Sequence, residues 1–204
     1  MHHPLASQGV SMTGRHFLVA FAVALSIVFF TPGSAFAYHR EVQNNGVCNP
    51  CISWSGSGTG HYYLFSSITA HSAWPSFIAD DFGNYNSDPY IPSNPTWLRT
   101  TQSTQSLIDV RQVSLGLSVC GRGTAYYTGT TITYGNIQLN TDLSYGGRNG
   151  TIGDCDFDGV VLHEIGHTQG LAHSQYYWAV MYHEDNVVHS LTSDDEAGMA
   201  AIYP

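Results

Sequence analysis

The chain has 204 residues, of which 15 are acidic and 6 are arginine or lysine, so its formal net charge is −9 at pH 7 with neutral histidine. A nucleic-acid-binding protein needs a basic face that neutralises phosphates, and so few scattered cations exclude a nucleic acid partner. With 43% hydrophobic and 10% charged residues, the chain is not disordered and has enough apolar material for one core. The 11 histidines are the unusual feature of the composition.

The N-terminus has the pattern of an export signal. Residues 17–30 form an apolar run interrupted only by Ser26, with Arg15 before it and Ala35-Phe36-Ala37 after it. This pattern predicts a secretory signal peptide over residues 1–37, cleaved after Ala37. The run is shorter than the roughly 20 residues of a membrane span, so we expect no stable membrane anchor. The protein is therefore predicted to be secreted and extracellular, with translation starting at Met1 or Met12.

The exported chain would contain a short arm and one domain. Residues 38–60 are rich in Gly, Ser and Asn and predict an irregular N-terminal arm. Residues 61–204 have the length of one domain, which we expect to be a monomer.

An even number of cysteines enters the oxidising compartment. These are Cys48, Cys51, Cys120 and Cys155. They predict two disulfide bonds, with three possible connectivities. The Cys48-Asn-Pro-Cys51 spacing also occurs in zinc ribbons and redox pairs, but neither a second such pair nor a βαβ context accompanies it, so structural bridging is favoured.

Hydrophobic periodicity predicts an α+β domain with a mixed sheet and three helices. The predicted strands are residues 61–68, 107–119, 124–127 and 132–140, and residues 86–106 are predicted to be a loop. The first helix begins near Trp74 and the third near Thr192. The second begins near Asp158, its expected N-cap, and ends at Gly170, which tolerates a left-handed C-terminal conformation.

One segment, from His163 to His173, carries the pattern of a metal site. His163 and His167 are four residues apart, so their imidazoles share one helix face, and Gly170 lets the chain turn back to bring in His173. Three imidazoles suit one Zn²⁺ and leave a fourth position for water, as in catalytic zinc sites. Glu164 is the candidate general base. The pattern predicts peptide-bond hydrolysis by a zinc-activated water.

The extended motif resembles that of the metzincin metalloendopeptidases, and Ser174 after the third histidine is similar to the matrixin branch. Ala179-Val180-Met181-Tyr182 resembles the Met-turn of this family, and residues 191–203 resemble its last helix. The resemblance implies a metzincin-like catalytic domain with an active-site cleft, a protein or peptide substrate and one catalytic zinc. It also implies that Met181 lies beneath the zinc and that Tyr182 walls the specificity pocket.

Calcium is a weaker expectation. Residues 154–159 mimic the opening of an EF-hand loop, but Ile165 occupies the position of its last ligand, so capping and loop hydrogen bonds are favoured. The strand containing Thr124 is the candidate edge to which a substrate would add.

Two other functions stay open at this point. One is a secreted zinc-binding module that acts in adhesion or inhibition without turnover, and the other is an amidase that acts on cell-wall peptides. The intact Glu164 favours an enzyme. Of the remaining histidines, His39, His61, His71, His183 and His189 are expected to have surface or hydrogen-bonding roles. His183 is the one expected to approach the site.

Overall fold

A computed structural model describes residues 51–56, 58–90, 94–147, 153–184 and 187–204. The predicted signal peptide, Cys48 and most of the predicted arm lie outside these residues. Four helices are described: α1 (Ser66–Thr69), α2 (Trp74–Ser87), α3 (Phe157–Thr168) and α4 (Ser193–Ile202). Three correspond to the predicted helices, and the prediction of only three missed α1, a single turn that overlaps the end of the strand predicted at residues 61–68. None of the helices described has the length and apolarity to cross a membrane.

The described strands form one mixed sheet: β1 (Ser53–Trp54), β2 (Thr59–Leu64), β3 (Thr96–Thr100), β4 (Ile108–Val113), β5 (Gly121–Thr128) and β6 (Thr131–Asn140). The order is β1-β6-β4-β2-β3, and β5 pairs with β6. Only the β5–β6 pairing is antiparallel. A two-residue turn joins these two strands, and Gly129 in this turn has a φ of 61°, which glycine adopts without strain.

Three parts of the sheet differ from the prediction. The predicted loop 86–106 contains β3, in which Trp97 is buried. The predicted strand to Val119 ends at Val113, because the Asp142 carboxylate accepts hydrogen bonds from the Ser114 hydroxyl (2.6 Å) and the Gly116 N–H (2.8 Å) and closes a turn there. Strand β1 and the start of β2 lie in the segment that the sequence assigned to the irregular arm.

The core lies between the sheet and the helices α2 and α3. The Tyr62 ring of β2 stacks on Phe82 of α2 with centroids 4.0 Å apart. Burial of a side chain such as Phe82 contributes about 2 kcal/mol. The Tyr85 hydroxyl of α2 donates to the Leu162 carbonyl of α3 (3.1 Å). These contacts fix α3, the helix that carries the predicted ligands, against the rest of the domain.

Candidate metal centre and active site

Helix α3 places His163 and His167 one turn apart. Its N-cap is Asp156, whose side chain accepts a hydrogen bond from the Gly159 N–H (2.8 Å), so the prediction of Asp158 as the cap was wrong by two residues. Asp158 lies in the first turn instead, where its charge suits the helix dipole.

The C-terminal end of α3 is held by aromatic side chains from distant elements. The Trp54 indole N–H donates to the Thr168 carbonyl (2.9 Å), and the Tyr203 hydroxyl donates to the Gln169 carbonyl (2.9 Å). The Trp97 indole N–H donates to the Gln169 side chain (3.2 Å). The first two bonds satisfy backbone carbonyls that a helix end leaves without partners, and they tie the end of α3 to Trp54 and Tyr203.

Gly170 turns the chain back toward the helix, as the sequence predicted. Its φ is 97°, and a Cβ there would lie 2.7 Å from the Ile52 carbonyl oxygen. After this turn, His173 joins the other two histidines. The His167 Nε2 atom lies 3.1 Å from the Nε2 atoms of both His163 and His173. The three side chains therefore offer ligand atoms within 4.8 Å of one another.

Backbone carbonyls orient two of these rings. The Nδ1 atom of His163 bonds the Val180 carbonyl (2.7 Å), and the Nδ1 atom of His167 bonds the Leu171 carbonyl (2.9 Å). A carbonyl oxygen accepts only, so each Nδ1 carries the hydrogen and each Nε2 is left with a free lone pair in the neutral ring. Metal-binding histidines typically have such partners.

The protonation of the rings also fits a metal. Burial lowers the pKa of His163 to about 4 and that of His167 to about 3. Both rings are therefore neutral at pH 7, which is the form that binds metals. Three imidazoles whose Nε2 atoms converge are a donor set that suits zinc and leaves a position open. The residues present thus fit the expected ion.

Glu164 is buried beside this cluster, and its carboxylate accepts a hydrogen bond from the Gly123 N–H of β5. Burial raises the pKa of Glu164 to about 8, although the Gly123 bond and the charge of Arg122 act in the opposite direction. A nearby dication would favour the ionised form. The position and the perturbed pKa are those of a candidate acid–base group.

Met181 lies under the ligand helix. It is fully buried, and a Cβ on Gly166 of α3 would overlap its Sδ atom. The Asp195 carboxylate of α4 accepts hydrogen bonds from the Val180 N–H (3.0 Å) and the Met181 N–H (3.1 Å). The Ser174 hydroxyl donates to Asp194 (2.7 Å). Helix α4 therefore holds both ends of the segment between the third histidine and Met181.

A pocket of about 500 Å³ opens beside the three histidines and Glu164. Residues 118–123 form part of its lining, together with His183 and Glu184. His183 thus approaches the site as expected, and its ring lies 6.4 Å from that of His173. Tyr182 is not among the residues that line this pocket and instead contacts His183, with ring centroids 4.5 Å apart.

The described cysteines are disulfide-bonded. Cys120 pairs with Cys155, with Cα atoms 5.8 Å apart, and Cys51 is bonded as well. The Cys120–Cys155 bond ties the residue before β5 to the loop that precedes α3. It therefore links the two elements that approach each other at Glu164.

Residues 154–159 make the capping and loop hydrogen bonds that the sequence favoured over calcium binding. Asp154 accepts hydrogen bonds from the Ser144 N–H (2.9 Å) and hydroxyl (2.8 Å). The His189 ring bonds Asp156 (2.8 Å). Calcium binding at this loop stays a prediction.

Several supporting groups were not found from the sequence. Asp195 is one of three acidic residues in the first turn of α4, and it completes a capping box with Thr192. The spacing of Thr192 and Asp195 is the sequence signal of that box. The two glycines of Gly121-Arg122-Gly123 indicate a close approach of backbone, although only the structure shows that α3 is the neighbour.

Three imidazoles that converge beside a buried glutamate define the type of site found in zinc metallopeptidases. The family model Peptidase_M10, described as matrixin, matches residues 120–204. The matrixin resemblance is therefore confirmed for this part of the chain, which contains β5, β6, α3 and α4. No curated protein matches the sequence.

Proposed function

We propose that the protein is a secreted zinc-dependent endopeptidase. The observation that carries this proposal is the convergence of His163, His167 and His173 beside the buried Glu164. The three histidines would hold one zinc ion through their Nε2 atoms. Bound there, zinc supplies a Lewis acid that polarises a scissile carbonyl and acidifies water.

Glu164 would act as the general base and then as the general acid. Its carboxylate takes a proton from the attacking water and delivers it to the departing amine. The Gly123 N–H fixes one carboxylate oxygen, so the side chain keeps its direction during this transfer. The reaction needs no covalent intermediate on the protein.

The substrate would bind in extended form along β5. Within the described part of the chain, β5 pairs only with β6, so its outer edge offers main-chain groups to a peptide. Addition of a peptide strand to such an edge is a common recognition mode. The start of β5 lines the pocket beside Glu164, so a peptide on this edge would pass the three histidines.

Glu164→Gln separates the proposed base from the metal ligands. We expect the variant to keep one zinc per chain and to lose at least about 100-fold in casein hydrolysis, since the amide cannot accept the proton. Glu196→Gln makes the same chemical change on α4, outside the pocket, and should keep activity. Full activity of zinc-loaded Glu164→Gln would disprove the assigned role.

Three further measurements test the zinc dependence, the substrate class and the secretion that the proposal assigns. Casein zymography with and without a chelator, followed by added zinc, distinguishes an enzyme from a non-catalytic zinc module. A panel that contains protein substrates and peptidoglycan distinguishes an endopeptidase from a cell-wall amidase. Native and denaturing mass analysis of the protein from culture medium should give a monomer that begins at Tyr38.

A further inference from the structure

Arg122 is a cation in the wall of the pocket. It lies between Gly121 and Gly123 at the start of β5, and its side chain is exposed. Both glycines face α3 so closely that a Cβ on either would meet Glu164. Because side chains alternate along a strand, Arg122 projects away from α3 and toward the solvent side of the pocket.

The guanidinium of Arg122 has no hydrogen bond or ion pair within the described residues. Arg111 makes a useful contrast. Its guanidinium bonds Asp109 and the Tyr134 hydroxyl (3.2 Å each) and lies over the Phe65 ring. Arg111 thus has a structural role on the sheet, whereas Arg122 lines the pocket and makes no ion pair with a described residue, although its charge acts on Glu164.

The positive charge of Arg122 stands out because the protein around it is acidic. The whole chain has a net charge of −9, and the carboxylates among the described residues that line the pocket are Glu164 and Glu184. Apart from the proposed zinc, Arg122 is the one arginine or lysine among the described residues that line the pocket, so it can attract an anionic group to the β5 wall, whereas a carboxylate such as Glu184 repels one.

We propose that Arg122 is a specificity-determining residue that selects peptides with an Asp or Glu side chain at the position facing the start of β5. This inference rests on the proposed peptidase function and names the substrate class of the same site. A carboxylate there would pair with the guanidinium, which offers a planar set of donors.

Glu184 limits the acidic preference to one part of the pocket. Its side chain is 69% exposed and lies 3.8 Å from the His183 ring, at the part of the pocket that follows Met181. A substrate carboxylate beside Glu184 would be repelled. The acidic preference is therefore expected at one subsite, next to β5, and not along the whole peptide.

The test uses the zinc-loaded full-length protein and internally quenched peptides. Glu, Gln and Lys are placed in turn at each position on both sides of the cleaved bond, and kcat/KM is measured for each peptide. For the wild type we expect one position at which Glu exceeds Gln by about five-fold, the upper range of an exposed ion pair. The ratio should fall as ionic strength rises.

For each variant, the ratio of kcat/KM between two peptides is measured on the same enzyme, so a general loss of activity cancels. In Arg122→Gln the Glu-to-Gln ratio at that position should fall to about one, and in Arg122→Glu the preference should change to Lys. Arg99→Gln is the matched control. It removes the same charge from an exposed position on β3, at the far end of the sheet, and should keep the wild-type ratio.

Two outcomes overturn the inference while the proposed function stands. One is a wild type that cleaves the peptides without an acidic preference at any position, and the other is a preference that Arg122→Gln keeps unchanged. A zinc-loaded wild type that cleaves no peptide would refute the peptidase function and this inference together.

Discussion

The Oδ1 atom of Asp195 accepts a hydrogen bond from the Met181 N–H at 3.1 Å, which connects the last helix to the segment that follows the three histidines. Asp195 is fully buried and also accepts hydrogen bonds from the Val180 N–H and from the N–H and hydroxyl of Thr192. The Val180 carbonyl in turn orients His163. One carboxylate thus caps α4 and holds Val180, whose carbonyl bonds the proposed ligand His163.

Replacement of Asp195 should therefore affect both stability and metal binding. Asp195→Ala leaves several buried donors without a partner, and we expect the free energy of unfolding to fall by about 3 kcal/mol. Zinc affinity should fall by about 10-fold or more, because the orientation of His163 is lost. Urea denaturation and zinc competition titration measure the two effects. Asp195→Asn keeps one acceptor oxygen, so its stability and zinc affinity should lie between those of the wild type and of Asp195→Ala. Equal zinc affinity in all three proteins would contradict the positioning role.

Each of the three histidines should be needed for zinc. We expect one zinc per chain in the wild type and a loss of affinity above about 100-fold in His167→Ala, since even an outer partner is worth about 10–100-fold. His71→Ala is the control, because His71 is exposed and bonds Gln112 instead. Zinc content after dialysis against a weak chelator is the measurement. Retention of zinc by His167→Ala would argue against this ligand set.

The close approach of β5 to α3 should tolerate no side chain at Gly123. A Cβ there would overlap the Glu164 carbonyl oxygen and lie 2.8 Å from the His167 Cβ. We expect Gly123→Ala to lower the free energy of unfolding by about 1–3 kcal/mol and to reduce activity, since Glu164 must move. Gly83→Ala on α2 meets no atom within 4 Å and should stabilise the protein by about 0.5–1 kcal/mol. Thermal melts that rank the two variants in the opposite order would be inconsistent with this packing.

The Cys120–Cys155 bond should contribute strongly to stability. It closes a loop with a sequence separation of 35, for which the chain-entropy relation gives about 3–4 kcal/mol. The Cys120→Ala/Cys155→Ala double variant should melt about 10 °C below the wild type. Scanning calorimetry of zinc-loaded proteins at one concentration compares them. An unchanged melting temperature would mean that this bond does not constrain the unfolded chain.

Local sequence patterns determined the parts of this protein that depend on near neighbours in the chain. The spacing of His163 and His167 is a property of any helix, and Gly170 marks the helix end because it adopts a positive φ that other residues avoid. The three long helices and the strand that became β6 follow from periodicity for the same reason. The short or polar elements β1, β3 and α1 have too few residues for a period to appear.

Tertiary structure decided which distant groups complete the site. The Gly123 N–H reaches Glu164 across 41 residues of sequence, and Asp195 reaches Met181 across 14. Such contacts depend on the packing of β5 and α4 against α3. The sequence periodicity of β5 or of α4 does not indicate which element will pack against it. The sequence by itself therefore determined the spacing of the three histidines and Glu164, whereas only the folded chain decided what orients these side chains and brings Arg122 to the pocket, because both depend on which surfaces meet in three dimensions.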